Sequence, residues 1–167
     1  QPGYGIALHA AMYSYNGLNA DPCYDSSPSI AMDSYHLFCV GSSNEIVVGG
    51  YDVNGDSLVY SFSEPLNNNI STSFQPGTQP SNVSWASGYS VNQCLPSNII
   101  QANNVGPVLN SENGELIFEI HTLGQFLMKV KIESFRCGIK IAEINSESIV
   151  QIANCLGSNN APSISLS

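Results

Sequence analysis

Short runs of alternating apolar and polar residues recur along this chain, and residues that favour turns separate them. The turn signals include Asn54-Gly55, Asn113-Gly114 and Cys137-Gly138, whereas helix signals are almost absent. Alternation with a period of two buries one face of a strand, and strands joined by short turns pair with their neighbours. The chain is therefore predicted to be all-β and to form an antiparallel β-sandwich. The predicted strands span residues 6–15, 46–51, 58–62, 83–85, 115–120, 125–133, 138–144 and 148–152.

The charge of the chain is strongly one-sided. Its formal net charge is −9, and the four Lys and Arg residues all lie between Lys129 and Lys140. So few cations cannot line a groove for nucleic acid or bind an anionic membrane surface. No apolar run approaches the length of a membrane span, so direct membrane insertion is not expected. Sparse charge with abundant Ser, Asn and Gly is typical of an extracellular β protein, and we expect an extracellular location.

Two short segments share the sequence Pro-Ser-Ile and indicate module boundaries. Ser27-Pro28-Ser29-Ile30 precedes the main domain, and Ala161-Pro162-Ser163-Ile164 follows an Asn-rich linker. Proline favours an extended approach and cannot continue a central strand. The predicted β-sandwich therefore spans residues 25–160. Residues 1–24 are predicted to form the last strand of a preceding module or an added N-terminal strand, and residues 161–167 a linker to a following module.

The five cysteines are spread widely, which is typical of disulfides formed in an oxidising compartment. Counting strands as in a seven-strand sandwich places residues 52–56, the turn at residues 135–138 and Cys23 at one end, here called the junction end. The same count places Cys39 and Cys155 at the opposite, far end. The predicted disulfides are Cys23–Cys137 and Cys39–Cys155, with Cys94 unpaired.

Oxygen-bearing side chains alternate just before the strand predicted at residues 58–62. They are Asp52, Asn54 and Asp56, and Gly55 allows the chain to turn sharply between them. Hard oxygen ligands on such a loop suit Ca²⁺, which prefers about six to eight oxygens. An Asx-rich hairpin turn explains the same residues without a metal, because Asp and Asn side chains bond their own backbone. Ca²⁺ is the predicted cofactor, with further ligands drawn from carboxylates at the junction end, and the predicted metal set is Asp52, Asn54, Asp56, Asp25 and Glu133.

Several segments together resemble a known family. Residues 52–61, with the pattern Asp-x-Asn-Gly-Asp-Ser-Leu-Val-Tyr-Ser, resemble the signature of cadherin-like, dystroglycan-type repeats, and residues 113–117 and 122–126 resemble their later strands. Residues 83–90 and 133–138 resemble parts of cadherin-like or PKD-like modules in large bacterial surface adhesins, which use type IX secretion and are associated with gliding motility. The resemblance implies an Ig-like or cadherin-like sandwich, stapled by disulfides, that serves without catalysis as a structural or adhesive unit on the bacterial cell surface.

The resemblance also implies the partners. They are neighbouring modules of the same polypeptide, with surface glycans or other cell-surface proteins as further candidates, and Ca²⁺ at the junction end would stiffen the hinge between modules. The alternative is a carbohydrate-binding module of a secreted polysaccharide-active enzyme, because sugar rings stack on flat aromatic faces. Tyr13 and Tyr15 alternate, so they are predicted to share a face and are the candidate sugar contacts. A hydrolase finds no support, since the chain has no GxSxG motif and no indicative carboxylate pair.

Overall fold

The computed structural model describes residues 8–19, 25–67 and 81–155, and every regular element in these ranges is a β-strand. The all-β prediction is confirmed. The strands are β1 (Ala10–Met12), β2 (Ser29–Ala31), β3 (Tyr35–Cys39), β4 (Ser43–Val47), β5 (Gly49–Tyr51), β6 (Ser57–Phe62), β7 (Leu66–Asn67), β8 (Ser81–Asn82), β9 (Val105–Leu109), β10 (Glu115–Glu119), β11 (Gly124–Arg136) and β12 (Ile139–Ala153).

The larger sheet is built around the long hairpin of β11 and β12. The strand order is β1-β12-β11-β6, and β3 also pairs with β12. On the side of β12 away from β11, β1 pairs antiparallel with residues 142–144 and β3 pairs in parallel with residues 149–153. Strands β1 and β3 therefore share one edge of the sheet. The β3–β12 pair is parallel, whereas the other strand pairs are antiparallel.

The second sheet has the order β4-β10-β9 and packs face to face against the first. Alternate residues of its strands, such as Ile46 and Phe118, point into one core with Met128, Val130 and Ile132 of β11. These side chains are almost completely buried, and burying each one stabilises the fold by about 1.5–3 kcal/mol. The β-sandwich is thus held by two inward apolar faces, while its finer Ig-like or cadherin-like topology stays a prediction.

The observed strands differ from the predicted ones at several places, and β2, β3, β7 and β8 lie outside the predicted runs. The runs predicted at residues 138–144 and 148–152 form one strand, β12, because the residues between them continue to pair with β11. Residues 83–85 are not part of a strand, and Trp85 instead donates its indole N–H to Glu64 over 2.6 Å. Strand β9 was not predicted, because Gly106 and Pro107 interrupt its β pattern.

The predicted far-end disulfide is confirmed, since Cys39 and Cys155 are bonded with their Cα atoms 5.3 Å apart. Cys94 is free, as predicted, and burial raises the pKa of its thiol to about 12. Cys137 is exposed and is not bonded to any described cysteine. Its predicted partner, Cys23, lies outside the described residues, so the Cys23–Cys137 disulfide stays a prediction. The domain boundaries near residues 24 and 160 also stay predictions.

Candidate functional site

The turn between β5 and β6 is organised by the side chain of its first acidic residue. One carboxylate oxygen of Asp52, Oδ1, accepts the backbone N–H of Asn54 over 2.8 Å and that of Asp56 over 3.3 Å. Gly55 has a φ of +77°, a left-handed conformation that favours glycine. Asp52 is therefore an Asx-turn residue that fixes the shape of this loop.

An arginine from β11, the strand that pairs with β6, binds this loop. Arg136 is the last residue of β11, and its Nε and Nη2 donate to the two carboxylate oxygens of Asp56 over 2.7 Å each. The same Nη2 donates to Asp25 Oδ2 over 3.1 Å. The side chains of Asp25 and Asp56 are only 3% and 4% exposed. We call these three residues the junction clamp.

Charge-assisted hydrogen bonds stabilise the contacts of Arg136 with Asp25 and Asp56. The fork of a guanidinium matches a carboxylate in two parallel hydrogen bonds, which are stronger than bonds between neutral groups. The hydrogen bond with Asp56, and then the charge of Asp25, raise the pKa of Arg136 above its usual value although burial opposes this. Both aspartates would carry an uncompensated charge away from water without this arginine.

A second contact ties the incoming segment to the same loop. The backbone N–H of Ser26 donates to Asn54 Oδ1 over 3.3 Å. Asp25 and Ser26 are the residues through which the chain approaches β2, so Arg136 holds the first of them and Asn54 of the 52–56 turn holds the second. The approach to the sandwich is therefore fixed relative to its body.

Four of the five predicted metal ligands lie at the junction end. Of these, Asp25 and Asp56 are bound by the chain's own cation, Arg136, and a Ca²⁺ ion would have to compete with that guanidinium. Asp52 Oδ2 is buried and has no hydrogen-bond partner in the ranges described. Among the described residues, no group of three or more His, Cys, Asp or Glu side chains is arranged to hold a metal ion. Ca²⁺ binding stays a prediction.

The fifth predicted ligand, Glu133, lies in the larger sheet and binds lysines instead. Its carboxylate is 3.1 Å from Lys131 Nζ and 2.9 Å from Lys140 Nζ, and Lys140 also donates to Glu143 over 2.8 Å. Burial alone would raise the pKa values of Glu133 and Glu143, but the hydrogen bonds and charges of the lysines outweigh it and lower them. Glu133 is thus part of an ion-pair ladder across β11 and β12.

The two candidate sugar contacts flank the β11–β12 hairpin. Tyr13 is 37% exposed, and the Nζ of Lys140 lies 4.6 Å from the centre of its ring in a cation–π contact. Tyr15 is half-buried, and the neighbouring side chain of Cys137, followed by burial, raises the pKa of the tyrosine. Tyr13 thus remains open to solvent, and its role as a sugar contact stays a prediction.

Sequence reasoning missed a buried ion pair on the same sheet. Lys129 and Glu147 face each other in the register of β11 and β12, with Nζ and Oε1 3.5 Å apart. Their side chains are 1% and 2% exposed, and Glu147 also accepts the N–H of Leu66. Charged residues are almost never so buried unless they are paired. Only the strand register brings the two together, and the separate runs predicted for β12 left Glu147 in a turn.

Comparison with known proteins does not assign the chain to a family, because no protein-family model and no curated protein matches it. In the ranges described, no helix is long and apolar enough to cross a membrane. The Cys39–Cys155 disulfide indicates an oxidising setting rather than the cytoplasm.

Proposed function

We propose that this chain is a non-catalytic structural or adhesive module of a larger extracellular protein on a bacterial cell surface. The observation that carries the proposal is the junction clamp, because Arg136 fixes the segment that leads into the sandwich. A linker without fixed partners bends freely, whereas one held by buried carboxylates points in one direction. A module built this way transmits a defined orientation from its neighbour in the same polypeptide.

The far end supports the same role. Strand β3 follows soon after the clamped segment, and its last residue, Cys39, is bonded to Cys155 just beyond β12. A pull applied between residue 25 and residue 155 therefore runs through β2, β3 and the disulfide. The 116-residue separation spanned by that disulfide is shielded from the pull. Such an arrangement suits a unit that connects two neighbours under tension.

The extracellular part of the proposal rests on the disulfide and on the acidic, Ser- and Asn-rich composition. Export by type IX secretion and a link to gliding motility are proposed from the resemblance of the sequence segments alone. Neighbouring modules are the first partners, and other cell-surface proteins are further partners.

Calcium would compete with Arg136 for the carboxylates at the junction end. Ca²⁺ at the junction end would take oxygens from Asp25 and Asp56, which Arg136 holds in its absence. The buried Oδ2 of Asp52, which has no partner among the described residues, is a further oxygen for the ion. A cation of either kind therefore ties the incoming segment to the 52–56 loop.

Thermal melting of Arg136→Gln with and without calcium tests this account. The variant is expected to melt below the wild-type protein in a chelator, because two buried carboxylates lose their partner. If the variant site binds with the millimolar affinity of extracellular modules, about 10 mM Ca²⁺ should raise its melting temperature by about 3–6 °C. The wild-type protein should respond less, because Arg136 already holds the carboxylates.

The matched control is Lys131→Gln, which removes a cation of the same sheet that contacts Glu133 rather than the clamp. It should melt at nearly the same temperature with calcium or chelator. A melting temperature of Arg136→Gln equal to that of the wild type in chelator would contradict the clamp. A calcium response confined to the wild type would contradict the competition.

A further inference from the structure

The chain passes from one sheet to the other between β2 and β3, so β2 covers the edge of β5 but not that of β4. β2 pairs with β5, while β3, a few residues later, pairs with β12 of the other sheet. Between them the chain crosses at residues 32–34. β4 precedes β5 and pairs with β10 on one side, and no other described strand pairs with it. One edge of β4 is therefore open among the described residues.

Hydrogen-bond geometry shows which groups that edge presents. The N–H of Val48 donates to the carbonyl of Gly114 over 2.9 Å, which fixes the phase of the ladder between β4 and β10. Hydrogen-bonded and non-hydrogen-bonded pairs alternate in an antiparallel ladder. The N–H and C=O groups of Ser43, Glu45 and Val47 therefore point away from β10. These groups form the row of unpaired backbone donors and acceptors that is typical of an edge strand.

A groove of about 340 Å³ lies beside this edge. Met32 and Phe38 line it together with Ile46 of β4, and Asp33 and His36 add polar groups. Its volume falls within the range of about 300–1,000 Å³ that is usual for binding sites. The Nε2 atom of His36 is buried and has no hydrogen-bond partner in the described part of the chain. The groove thus presents a mainly polar surface with partly buried Met32 and Phe38 beside it and one unpaired nitrogen, His36 Nε2.

The charge of the groove indicates what binds there. Asp33 and Glu45 line it, and no Lys or Arg does. Three of the four Lys and Arg residues of the chain lie in β11 and the fourth in β12, and the net charge is −9. A basic partner is therefore attracted, whereas a second copy of this chain would bring like charges to the same edge.

The opposite edge of the same sheet provides a contrast. Its edge strand, β9, contains Pro107, which has no N–H to donate, and proline on an edge strand discourages pairing with another chain. No proline interrupts β4. The β9 edge therefore carries a residue that hinders pairing with another chain, whereas the β4 edge does not.

We propose that the open edge of β4 and its groove accept an extended strand, with alternating basic and apolar residues, from another polypeptide. The strand would bond to the backbone of Glu45 and Val47, place apolar side chains over the partly buried Met32 and Phe38, and set its basic side chains near Asp33. Addition of a strand to an exposed sheet edge is a recurring mode of peptide recognition. The inference rests on the proposed adhesive role, for which it names the partner, and uses no residue of the junction clamp.

Binding of a synthetic peptide to the whole chain tests the proposal. The probe is a fluorescein-labelled octapeptide in which lysine or threonine alternates with valine, and its control carries glutamate in place of lysine. Fluorescence anisotropy should show saturable binding of the basic peptide only. Glu45→Lys should weaken that binding by about tenfold or more. Glu112→Lys, an equal charge change at an exposed turn outside the groove, should alter it by less than about twofold.

The backbone contact is tested separately. Val47→Pro removes one outward N–H without removing a bond to β10, and it should weaken binding by about tenfold. Hydrogen exchange on the wild-type protein gives a readout that does not depend on the folding of this variant, since the peptide should slow exchange at Glu45 and Val47. Equal binding of both peptides, or the same exchange with and without the basic peptide, would overturn the proposal. So would self-association of the chain without peptide binding.

The proposed role of the junction clamp and the proposed strand-binding edge can be tested independently of each other. Arg136→Gln should keep its affinity for the basic peptide even though it melts at a lower temperature. An unaltered melting temperature with peptide binding retained would contradict the stiffened junction and leave the strand-binding edge in place.

Discussion

Removal of the Cys39–Cys155 disulfide is expected to lower the free energy of unfolding by about 5 kcal/mol. The bond joins residues separated by 116 positions, and closing so long a loop removes much of the conformational entropy of the unfolded chain. In the folded state it joins the end of β3 to the residues that follow β12, where five paired residues hold the two strands in parallel. The melting temperature should fall by about 10–20 °C.

The disulfide prediction is checked by denaturant unfolding of Cys39→Ser/Cys155→Ser. In a reductant, which would also open the predicted Cys23–Cys137 disulfide, the wild-type protein and the double variant should unfold alike, which separates the effect of the bond from that of the two serines. Cys94 should not complicate the comparison, because its buried thiol, with a pKa of about 12, stays protonated and unreactive in the native state. A double variant within about 1 kcal/mol of the wild type would contradict the prediction.

Replacing Lys129 with methionine is expected to cost about 3–5 kcal/mol. The variant leaves Glu147 with 2% of its side chain exposed and no countercharge among the described residues, where its remaining hydrogen bond is from the N–H of Leu66 at 3.3 Å. Burial lowers the pKa of Lys129, and the charge of Glu147 opposes that effect. The carboxylate of Glu147 therefore favours the charged form of Lys129, against the effect of burial.

Two further variants separate the buried charge from the loss of packing. Lys129→Met/Glu147→Leu removes both charges, and its stability should return to within about 1–2 kcal/mol of the wild type or exceed it. Lys131→Met removes a half-exposed lysine from the same face of β11 and should cost less than about 1 kcal/mol. Equal losses in Lys129→Met and the double variant would show that the pair is not coupled. The measurement is the free energy of unfolding in urea.

The β-sandwich could be predicted because its determinants are local. Alternation in residues such as Leu116 and Phe118, and the turn at Asn113-Gly114, encode strand and hairpin directly. The Cys39–Cys155 pairing followed from counting strand directions, which needs no side-chain detail. Strand β9 could not be predicted, because the pairing of its backbone with β10 overrides the poor β propensity of Gly106-Pro107.

The candidate site could be predicted only in part, because its contacts join distant residues. The sequence indicated that Asp52, Asn54 and Asp56 act together, and the Asx turn of Asp52 is local. Arg136 is 80 residues from Asp56, so only the return of β11 to the junction end brings the guanidinium there. The pattern of oxygens predicted Ca²⁺, which stays a prediction, and it did not indicate that Arg136 binds there. Glu133 could not be placed from strand direction alone, because its face and its lysine neighbours depend on register.

The central claim, that the junction clamp holds the segment leading into the sandwich, is tested most directly by ¹⁵N relaxation of the backbone amides of Asp25 and Ser26. In the wild-type protein their order parameters should approach the value of about 0.85 that is typical of rigid backbone. In Arg136→Gln, measured in a chelator, they should fall below about 0.6, while Lys131→Gln should keep the wild-type values. Equal order parameters in Arg136→Gln and the wild type would contradict the account.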